Sequence, residues 1–168
     1  MSFSQSLLPE YDNEMATTRR VLERLPEDRM EWLPHAKSMP LGRLATHLAE
    51  LPGWGSVTLR EDSFDISPPG GSGYVPATLN TRAEILELFD KNVASTRAII
   101  ESTDDEKFLQ PWTFLKEGQQ IFTLPRIAVL RTMLLNHVIH HRGQFSVYLR
   151  LNDVPVPSIY GPTADEGF

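Results

Sequence analysis

The sequence predicts an all-α fold, a bundle of four helices, and three observations lead to this prediction. Four stretches of roughly twenty residues carry apolar side chains at steps of three and four. Segments rich in proline and glycine separate them, and only one short region favours β-strands. With 168 residues, of which 40% are hydrophobic and 23% charged, the chain is expected to form a single domain, residues 1–168, around a substantial core.

The composition excludes several classes of protein. A net charge of −6, without any cluster of lysine and arginine, argues against nucleic-acid binding, which needs a cationic surface. No apolar run is long enough to cross a bilayer, and the N-terminus lacks the features of a signal peptide, so we expect a cytoplasmic protein with no membrane partner. Because the chain has no cysteine, any metal ion must be bound by nitrogen and oxygen.

The two N-terminal helices are predicted from their apolar stripes. The first runs from about Ser4 to Arg24, ahead of Pro26, and its stripe comprises Leu8, Tyr11, Met15, Thr18 and Leu22. The second begins near Pro40, because proline suits the first turn of a helix, and its stripe comprises Leu41, Leu44, Leu48 and Leu51. Pro52 predicts a kink or an end in its second half.

A long loop, a third helix, a small hairpin and a fourth helix are predicted next. Residues 61–79 contain three prolines and three glycines and are typical of a loop. The third helix runs from Thr81 to about Ser102. Residues 111–125 contain two short β-prone runs around Gly118, which suggests a hairpin. The fourth helix runs from about Pro125 to Leu151, and a proline-rich tail follows it.

Three of the five histidines lie in the fourth helix, within the apolar segment LLNHVIHHRGQFSVYL. Because a helix turns by about 100° per residue, His137 and His141 lie roughly 40° apart. Both fall on the face expected to point into the bundle, which also carries Leu130, Leu134 and Tyr148. The i, i+4 spacing is the one with which helical metal sites place two imidazoles on one ion. A hydrogen-bonded core histidine is the alternative at each position, although burying two imidazoles without partners is costly.

The neighbouring residues of this segment point elsewhere. His140 lies roughly −60° from His137, toward the flank of the helix, and is expected at the edge of the site. A pair of His137 and His140, at i, i+3, is also sterically possible for a metal ion. Arg142 lies on the far side and is expected at the surface or at an interface.

The second helix offers a third imidazole. His47, in the segment LATHLAEL, lies on the apolar stripe, where a core histidine is again the alternative to a ligand. Together with the pair on the fourth helix, it completes a three-histidine site that leaves positions open for water or substrate. Imidazole accepts zinc, nickel, iron and copper, so the identity of the divalent ion stays open. His35 lies in a predicted loop and is given no role.

The segments LATHLAEL on one helix and NHVIHHRGQ on a later one resemble the DinB-like family of bacterial metal-binding four-helix bundles. The flanks EWLPHAKSMPLGRLATHLAELPGW and VYLRLNDVPVPSIYGPTADE also resemble that family, so the resemblance covers nearly the whole chain. It implies an up-down-down-up bundle with a long crossover connection. It also implies a metal ion, zinc or nickel, on His47, His137 and His141, and a homodimeric assembly.

The resemblance favours a metal-dependent thiol S-transferase with a small-molecule substrate and a low-molecular-weight thiol. Characterised relatives attach thiols such as bacillithiol to electrophiles, or use mycothiol to isomerise maleylpyruvate. A three-histidine metal can bind a thiol as thiolate or lower the pKa of bound water to about 7, so a hydrolase is the enzymatic alternative. A stress-related or sensor protein whose metal only stabilises the bundle is the non-catalytic alternative. Glu50 and Gln144 are expected to orient ligands or to pass protons, unless both are solvated.

Two apolar residues of the fourth helix predict a subunit interface. Leu135 and Ile139 lie roughly 160° and −160° from His137, opposite the predicted metal face, where a helix of a monomeric bundle should be polar. The same surface from each subunit would meet in a homodimer with twofold symmetry. Isolated surface hydrophobic residues, or a contact with the long loop, are the alternatives.

Overall fold

The structure is a computed structural model that describes residues 2–167, and this part of the chain is mostly helical. Its helices are α1 (Phe3–Leu22), α2 (Leu41–Arg60), α3 (Arg82–Ser102), α4 (Asp105–Leu109), α5 (Arg126–Val129) and α6 (Asn136–Leu151). Its strands are β1 (Ser63–Asp65), β2 (Pro111–Lys116) and β3 (Gln119–Pro125). A π-helical turn at Leu130–Leu135 joins α5 to α6. The expected helices are present, but the prediction of an all-α fold is incomplete, because a small sheet accompanies the helices.

The N-termini of α1 and α3 are stabilised by capping boxes. The Ser2 hydroxyl accepts a hydrogen bond from the backbone N–H of Gln5, and the Gln5 side chain accepts one from the backbone of Ser2. Thr81 and Glu84 make the same reciprocal pair at the start of α3. Each box satisfies two backbone donors that the first turn of a helix leaves free, which explains why both helices begin where they do.

Pro52 lies inside α2, and the helix continues beyond it to Arg60. A proline in a helix interior removes one backbone hydrogen bond and crowds the preceding turn. Side chains of α3 bind the backbone of α2 at this position. The Asn92 amide donates to the carbonyl of Ala49 at 2.9 Å, and the Thr96 hydroxyl donates to the carbonyl of Pro52 at 2.7 Å. Packing against α3 therefore supports the helix through its proline.

The long helices share one hydrophobic core. Helix α3 packs against α1 and α2, and α6 packs against the same two helices. The core includes Tyr11 of α1, Leu44 and Leu48 of α2, Phe89 of α3 and Phe145 of α6. Each large apolar side chain buried in this way contributes roughly 1.5–3 kcal/mol relative to an exposed one. No helix within residues 2–167 has the length and hydropathy needed to span a membrane.

The sheet of the described region has the strand order β1–β2–β3. Strands β2 and β3 form the predicted antiparallel hairpin, and its two-residue turn places Glu117 and Gly118 at φ values of 54° and 74°. Positive φ at both positions matches the twist of the flanking strands. Strand β1 pairs in parallel with β2, so part of the predicted loop at 61–79 is a strand. With only three residues, β1 is too short to show an alternating pattern.

The π-helical turn rotates the buried face of the fourth helical stretch. Up to the first residue of the turn, Arg126, Val129 and Leu130 are buried, at roughly −80° to 20° from His137 by α-helical counting. From the end of the turn onward, the buried residues from Leu134 to Leu149 cover roughly 20° to 160°. A π turn closes hydrogen bonds over one additional residue, which shifts the face by about the 100° of one α-helical position.

This rotation corrects two expectations for the face opposite His137. Leu135 is 1% exposed and belongs to the core, and Ile139 is half-buried, so the pair does not form the predicted surface patch. Arg142, expected at the surface or at an interface, is also 1% exposed. Its guanidinium lies 2.6 Å from a carboxylate oxygen of Glu14, which is itself buried on α1. The face expected to be solvated therefore packs against α1.

Candidate metal centre

The structure brings His47, His137 and His141 together at the contact between α2 and α6. One ring nitrogen from each residue lies within 4.8 Å of the others, so the three could hold one metal ion. The Nε2 atoms of His47 and His137 are 3.5 Å apart. The ring of His47 meets those of His137 and His141 edge to face, with centroids 5.2 and 4.7 Å away. Within residues 2–167 these are the histidines that form a potential metal site.

All three imidazoles favour the neutral form that metal ligands require. Burial is the main cause that lowers the pKa of His47 to about 4, and the neighbouring His141 and His137 and the Arg43 guanidinium contribute to this decrease. Burial is also the main cause that lowers the pKa of His137 and of His141. Protonation of these closely spaced rings is unfavourable, because it places positive charge in a partly buried site and close to the other rings. At neutral pH the ring nitrogens therefore carry free lone pairs.

Hydrogen bonds set the orientation of two of the rings. The Nδ1 of His141 lies 2.9 Å from the side-chain oxygen of Gln144, one turn further along α6. The Nδ1 of His137 lies 3.3 Å from the carbonyl oxygen of Met133 in the π-helical turn. Because both oxygens only accept, each Nδ1 carries the proton and each Nε2 keeps its lone pair. Gln144 is half-buried, so it contacts the site rather than solvent alone.

Glu50 joins the histidines to the connection between α2 and α3. It is 9% exposed, so the alternative of a solvated side chain is wrong. One carboxylate oxygen lies 3.0 Å from Nη1 of Arg43 and 3.9 Å from Nδ1 of His47. The other oxygen accepts a hydrogen bond of 2.6 Å from the backbone N–H of Ala77. Glu50 therefore holds both a cation and the connecting segment beside the candidate site.

Arg43 and Tyr74 are residues near the site that the sequence did not identify. Arg43 precedes His47 by one helical turn, so its spacing would have placed it on the same face. Tyr74 lies in the α2–α3 connection, where no periodicity indicates a neighbour. Burial and the nearby Glu50 carboxylate raise the pKa of Tyr74 to about 12, which keeps its phenol protonated at neutral pH.

The two other histidines lie outside the cluster. His140 is exposed and packs edge to face on His141, with ring centroids 4.8 Å apart, as expected for a residue at the edge of the site. His35 is exposed, and its Nδ1 accepts a hydrogen bond from the backbone N–H of Lys37 in a local turn. The alternative metal pair of His137 and His140 is not the one that the structure assembles.

Comparisons with known proteins place the fold. The Bacillus subtilis (strain 168) protein YrdA is 26% identical over 159 residues, which cover 95% of this chain and 89% of YrdA. Two crystal structures superpose well. A DinB-like protein from Bacillus subtilis, YjoA, has a TM-score of 0.68 at 18% identity over 92% of this chain and 97% of that chain. A DinB-like protein from Bacillus cereus ATCC 10987 has a TM-score of 0.71 at 20% identity over 93% of this chain and 97% of that chain.

The strongest assignment comes from the family model. The model of the DinB superfamily matches residues 10–145, a stretch that contains His47, His137 and His141 and extends from the first turns of α1 to the middle of α6. Since this match covers far more than half of the sequence, the chain belongs to the DinB superfamily.

Proposed function

We propose that this protein binds one divalent metal ion through His47, His137 and His141 and acts as a metal-dependent thiol S-transferase. In this reaction a low-molecular-weight thiol loses its proton and its sulfur forms a C–S bond with a small-molecule electrophile, which either releases a leaving group such as halide or, in an addition, takes up the proton. The observation that carries the proposal is the convergence of three imidazole nitrogens within 4.8 Å on two neighbouring helices.

The residues present fit a divalent ion. Among residues 2–167, the buried Nδ1 of His47 has no hydrogen-bond partner, whereas Nδ1 of His137 and of His141 each contact an oxygen acceptor. Three neutral imidazoles suit zinc, nickel or iron(II), and three protein ligands leave positions open. When bound, such an ion supplies Lewis acidity, which favours the deprotonated form of a thiol or of water.

The other residues near the histidines orient the imidazole rings and position the Arg43 guanidinium. Gln144 and the carbonyl of Met133 hold two rings in one tautomer, and Glu50 holds the Arg43 guanidinium within reach of the site. Because Glu50 neutralises this cation, the pair offers hydrogen-bond donors without a net charge to the thiol or the electrophile. Because the chain contains no cysteine, the thiol of the proposed reaction must come from outside the protein.

A thiol panel tests the proposal. The zinc-, nickel- and iron(II)-loaded proteins are incubated with bacillithiol, mycothiol or free cysteine and with each of two electrophiles, 1-chloro-2,4-dinitrobenzene and 4-phenylbutyl iodide, whose reacting carbon lies several bonds from its ring. We expect thiol conjugation that disappears in His47→Ala and persists in the matched variant His140→Ala. Ester hydrolysis without any thiol would replace the transferase by the hydrolase. A gain in melting temperature on metal binding, with no turnover in either assay, would replace both by a metal-stabilised, non-catalytic bundle.

We infer an up-down-down-up order for α1, α2, α3 and α6. Side-chain contacts advance in the same direction along α2 and α3 and along α1 and α6, and in opposite directions along α1 and α3 and along α2 and α6. Between α2 and α3, Asn92 contacts Ala49 and Thr96 contacts Ser56, and between α1 and the stretch from the π-helical turn to α6, Glu10 contacts Arg131 and Thr18 contacts Arg142. Between α1 and α3, Arg19 contacts Asp90 and Asp12 contacts Arg97, and between α2 and the stretch from the π-helical turn to α6, His47 contacts His137 and Gly55 lies beside Leu134. Parallel neighbours need a crossover, which the connection after α2 supplies.

We also infer a cytoplasmic homodimer, and this inference rests on the family resemblance and on composition. The burial of Leu135 removes the surface patch that the sequence suggested. Light scattering of the metal-loaded protein at tens of micromolar is expected to give twice the mass of the chain. The mass of a single chain would overturn the dimer and leave the metal site untouched.

A further inference from the structure

A cavity of about 250 Å³ lies beside the candidate metal centre and is not used by the histidines. We propose that it binds an uncharged, apolar ring of the small-molecule electrophile, a proposal that rests on the proposed function. Its wall includes Glu50, Trp54 and Val57 of α2, Phe64 of β1, Tyr74 of the α2–α3 connection and Asn92 of α3. Residues far apart in sequence thus form one site.

The cavity has an aromatic wall. The ring of Trp54 packs edge to face on Phe64 and on Tyr74, with centroids 5.5 and 5.6 Å away. All three rings and Val57 are only half-buried, although each is large and apolar. Apolar side chains that surround a cavity and remain partly exposed to it are typical of a small-molecule site. The volume lies just below the roughly 300–1,000 Å³ of typical small-molecule sites, which suits an occupant of one or two rings.

The charges around the cavity favour a neutral occupant. An aromatic cage with a carboxylate at its edge is also the arrangement that binds quaternary ammonium groups. Here the carboxylate of Glu50 already faces the Arg43 guanidinium at 3.0 Å and the backbone N–H of Ala77 at 2.6 Å. Its charge is therefore compensated within the protein. A cationic ligand would meet Arg43 behind Glu50, whereas a neutral ring gains aromatic contacts at no electrostatic cost.

The position of the cavity defines the shape of the substrate. Trp54 follows His47 by seven residues, so it lies about two turns and roughly 10 Å further along the same face of α2. Glu50 lies between them and borders both the cavity and His47. A molecule whose ring occupies the cavity can therefore reach the histidines only with a group several bonds from that ring. The substrate class is an apolar ring that carries its electrophilic group on a side chain.

Ring binding can be measured without any catalysis. Indole is titrated into the metal-free and the metal-loaded protein, and the indole N–H resonance of Trp54 is followed by NMR after assignment with Trp54→Phe. We expect a saturable shift of this resonance in both forms. Val57→Phe fills the cavity and is expected to weaken binding at least about tenfold, a loss of roughly 1.4 kcal/mol. The matched variant Val147→Phe, at an exposed position of α6, is expected to bind as the unmodified protein does.

Each outcome decides the proposal. A Trp54 resonance that does not shift, or a dissociation constant that Val57→Phe leaves unchanged, overturns it. Tighter binding of tetramethylammonium than of indole also overturns it, in favour of a cation cage. If Val57→Phe does not fold by circular dichroism, Phe64→Ala takes its place, with the same tenfold loss expected. Ring binding without thiol turnover would refute the proposed function and keep the cavity as a binding site, whereas turnover without ring binding would do the reverse.

Discussion

At the scale of single residues, the three histidines differ from ordinary surface histidines in their protonation. Burial lowers the pKa of each, and the close packing of the rings makes a second positive charge still less favourable. Gln144 and Met133 then determine which nitrogen of His141 and His137 is free. The three imidazoles are therefore neutral, and two of them are oriented, as the proposed metal binding requires.

Alanine variants test the ligand set. His47→Ala, His137→Ala or His141→Ala should each abolish stoichiometric metal binding, because two imidazoles are too few for a stable site. Gln144→Ala keeps all three ligands but frees the His141 ring, and should weaken metal affinity by about 10- to 100-fold. Elemental analysis after dialysis against a competing chelator measures both effects. His140→Ala is the matched control, and loss of the metal in this variant would transfer the ligand role to His140.

Lowering the pH should destabilise the metal-free protein. In the unfolded chain the histidines have a pKa of about 6.5, whereas in the folded state the pKa of His47 is about 4. Between these values the unfolded state holds more protons, so the free energy of unfolding decreases as the pH falls. Urea unfolding at pH 7, 6 and 5 measures this decrease.

The same shifts predict when metal is lost. Because the pKa values are lowered, protons compete poorly with the metal for the ring nitrogens, so bound metal should persist below pH 6.5 and be released toward pH 4.

The control for the stability prediction is a variant with all three histidines replaced by leucine, whose free energy of unfolding should depend less on pH. An equal dependence in this variant and in the unmodified protein would mean that other groups cause it.

At the scale of elements, the π-helical turn determines how α6 presents its histidines. The turn ends at Leu135, two residues before His137, and it rotates the buried face so that the histidines lie at the border of the core with α2. An uninterrupted α-helix with the register of α5 would point His137 and His141 in a different direction. π turns of this kind are frequently found at functional sites.

The close contact of α2 with α3 and the π turn depends on Gly55. A Cβ atom at this position would lie 2.5 Å from Cγ2 of Thr96 and 2.9 Å from Cδ2 of Leu134. Gly55→Ala should therefore destabilise the protein by about 1–3 kcal/mol. Gly143→Ala is the matched control, since its added Cβ would meet no described atom within 4 Å apart from its chain neighbours and the backbone of its own helix, and it should stabilise α6 by up to about 1 kcal/mol. Equal urea midpoints for the two variants would contradict this explanation.

At the scale of the whole molecule, a buried ion pair joins α1, α6 and the C-terminal segment. The Arg142 guanidinium pairs with Glu14 at 2.6 Å and lies 5.0 Å from the centre of the Tyr160 ring. The Tyr160 hydroxyl donates a hydrogen bond of 2.8 Å to the same carboxylate. Three segments that are distant in sequence therefore depend on one guanidinium.

Removing this guanidinium should cost much stability. Arg142→Met leaves Glu14 buried without its cation and should lower the free energy of unfolding by about 3–5 kcal/mol. Arg131→Met removes a similar pair, with Glu10 at 3.0 Å, but both side chains are more than 40% exposed, and the loss should stay below about 1 kcal/mol. Chemical denaturation at pH 7 compares the two. If both variants lose equally little, the buried pair does not contribute as described.

Periodicity along the chain predicted the long helices, the hairpin and the inward-facing positions of His47, His137 and His141, which lie together in the structure. These features depend on local hydrogen bonding, which sets the periodicity along a single element. The 100° step placed His137 and His141 correctly relative to each other because no irregularity lies between them.

The direction in which the helical faces turn and the residues that surround the site depend on contacts between distant parts of the chain. The π-helical turn buried Leu135 and Arg142, and no local pattern indicates where a helix accepts one additional residue. Strand β1, the contact of Ala77 with Glu50 and the aromatic cavity join residues that belong to different elements of the chain. Such contacts form because apolar surface and buried charge must find partners anywhere in the chain, and periodicity along one segment carries no information about those partners.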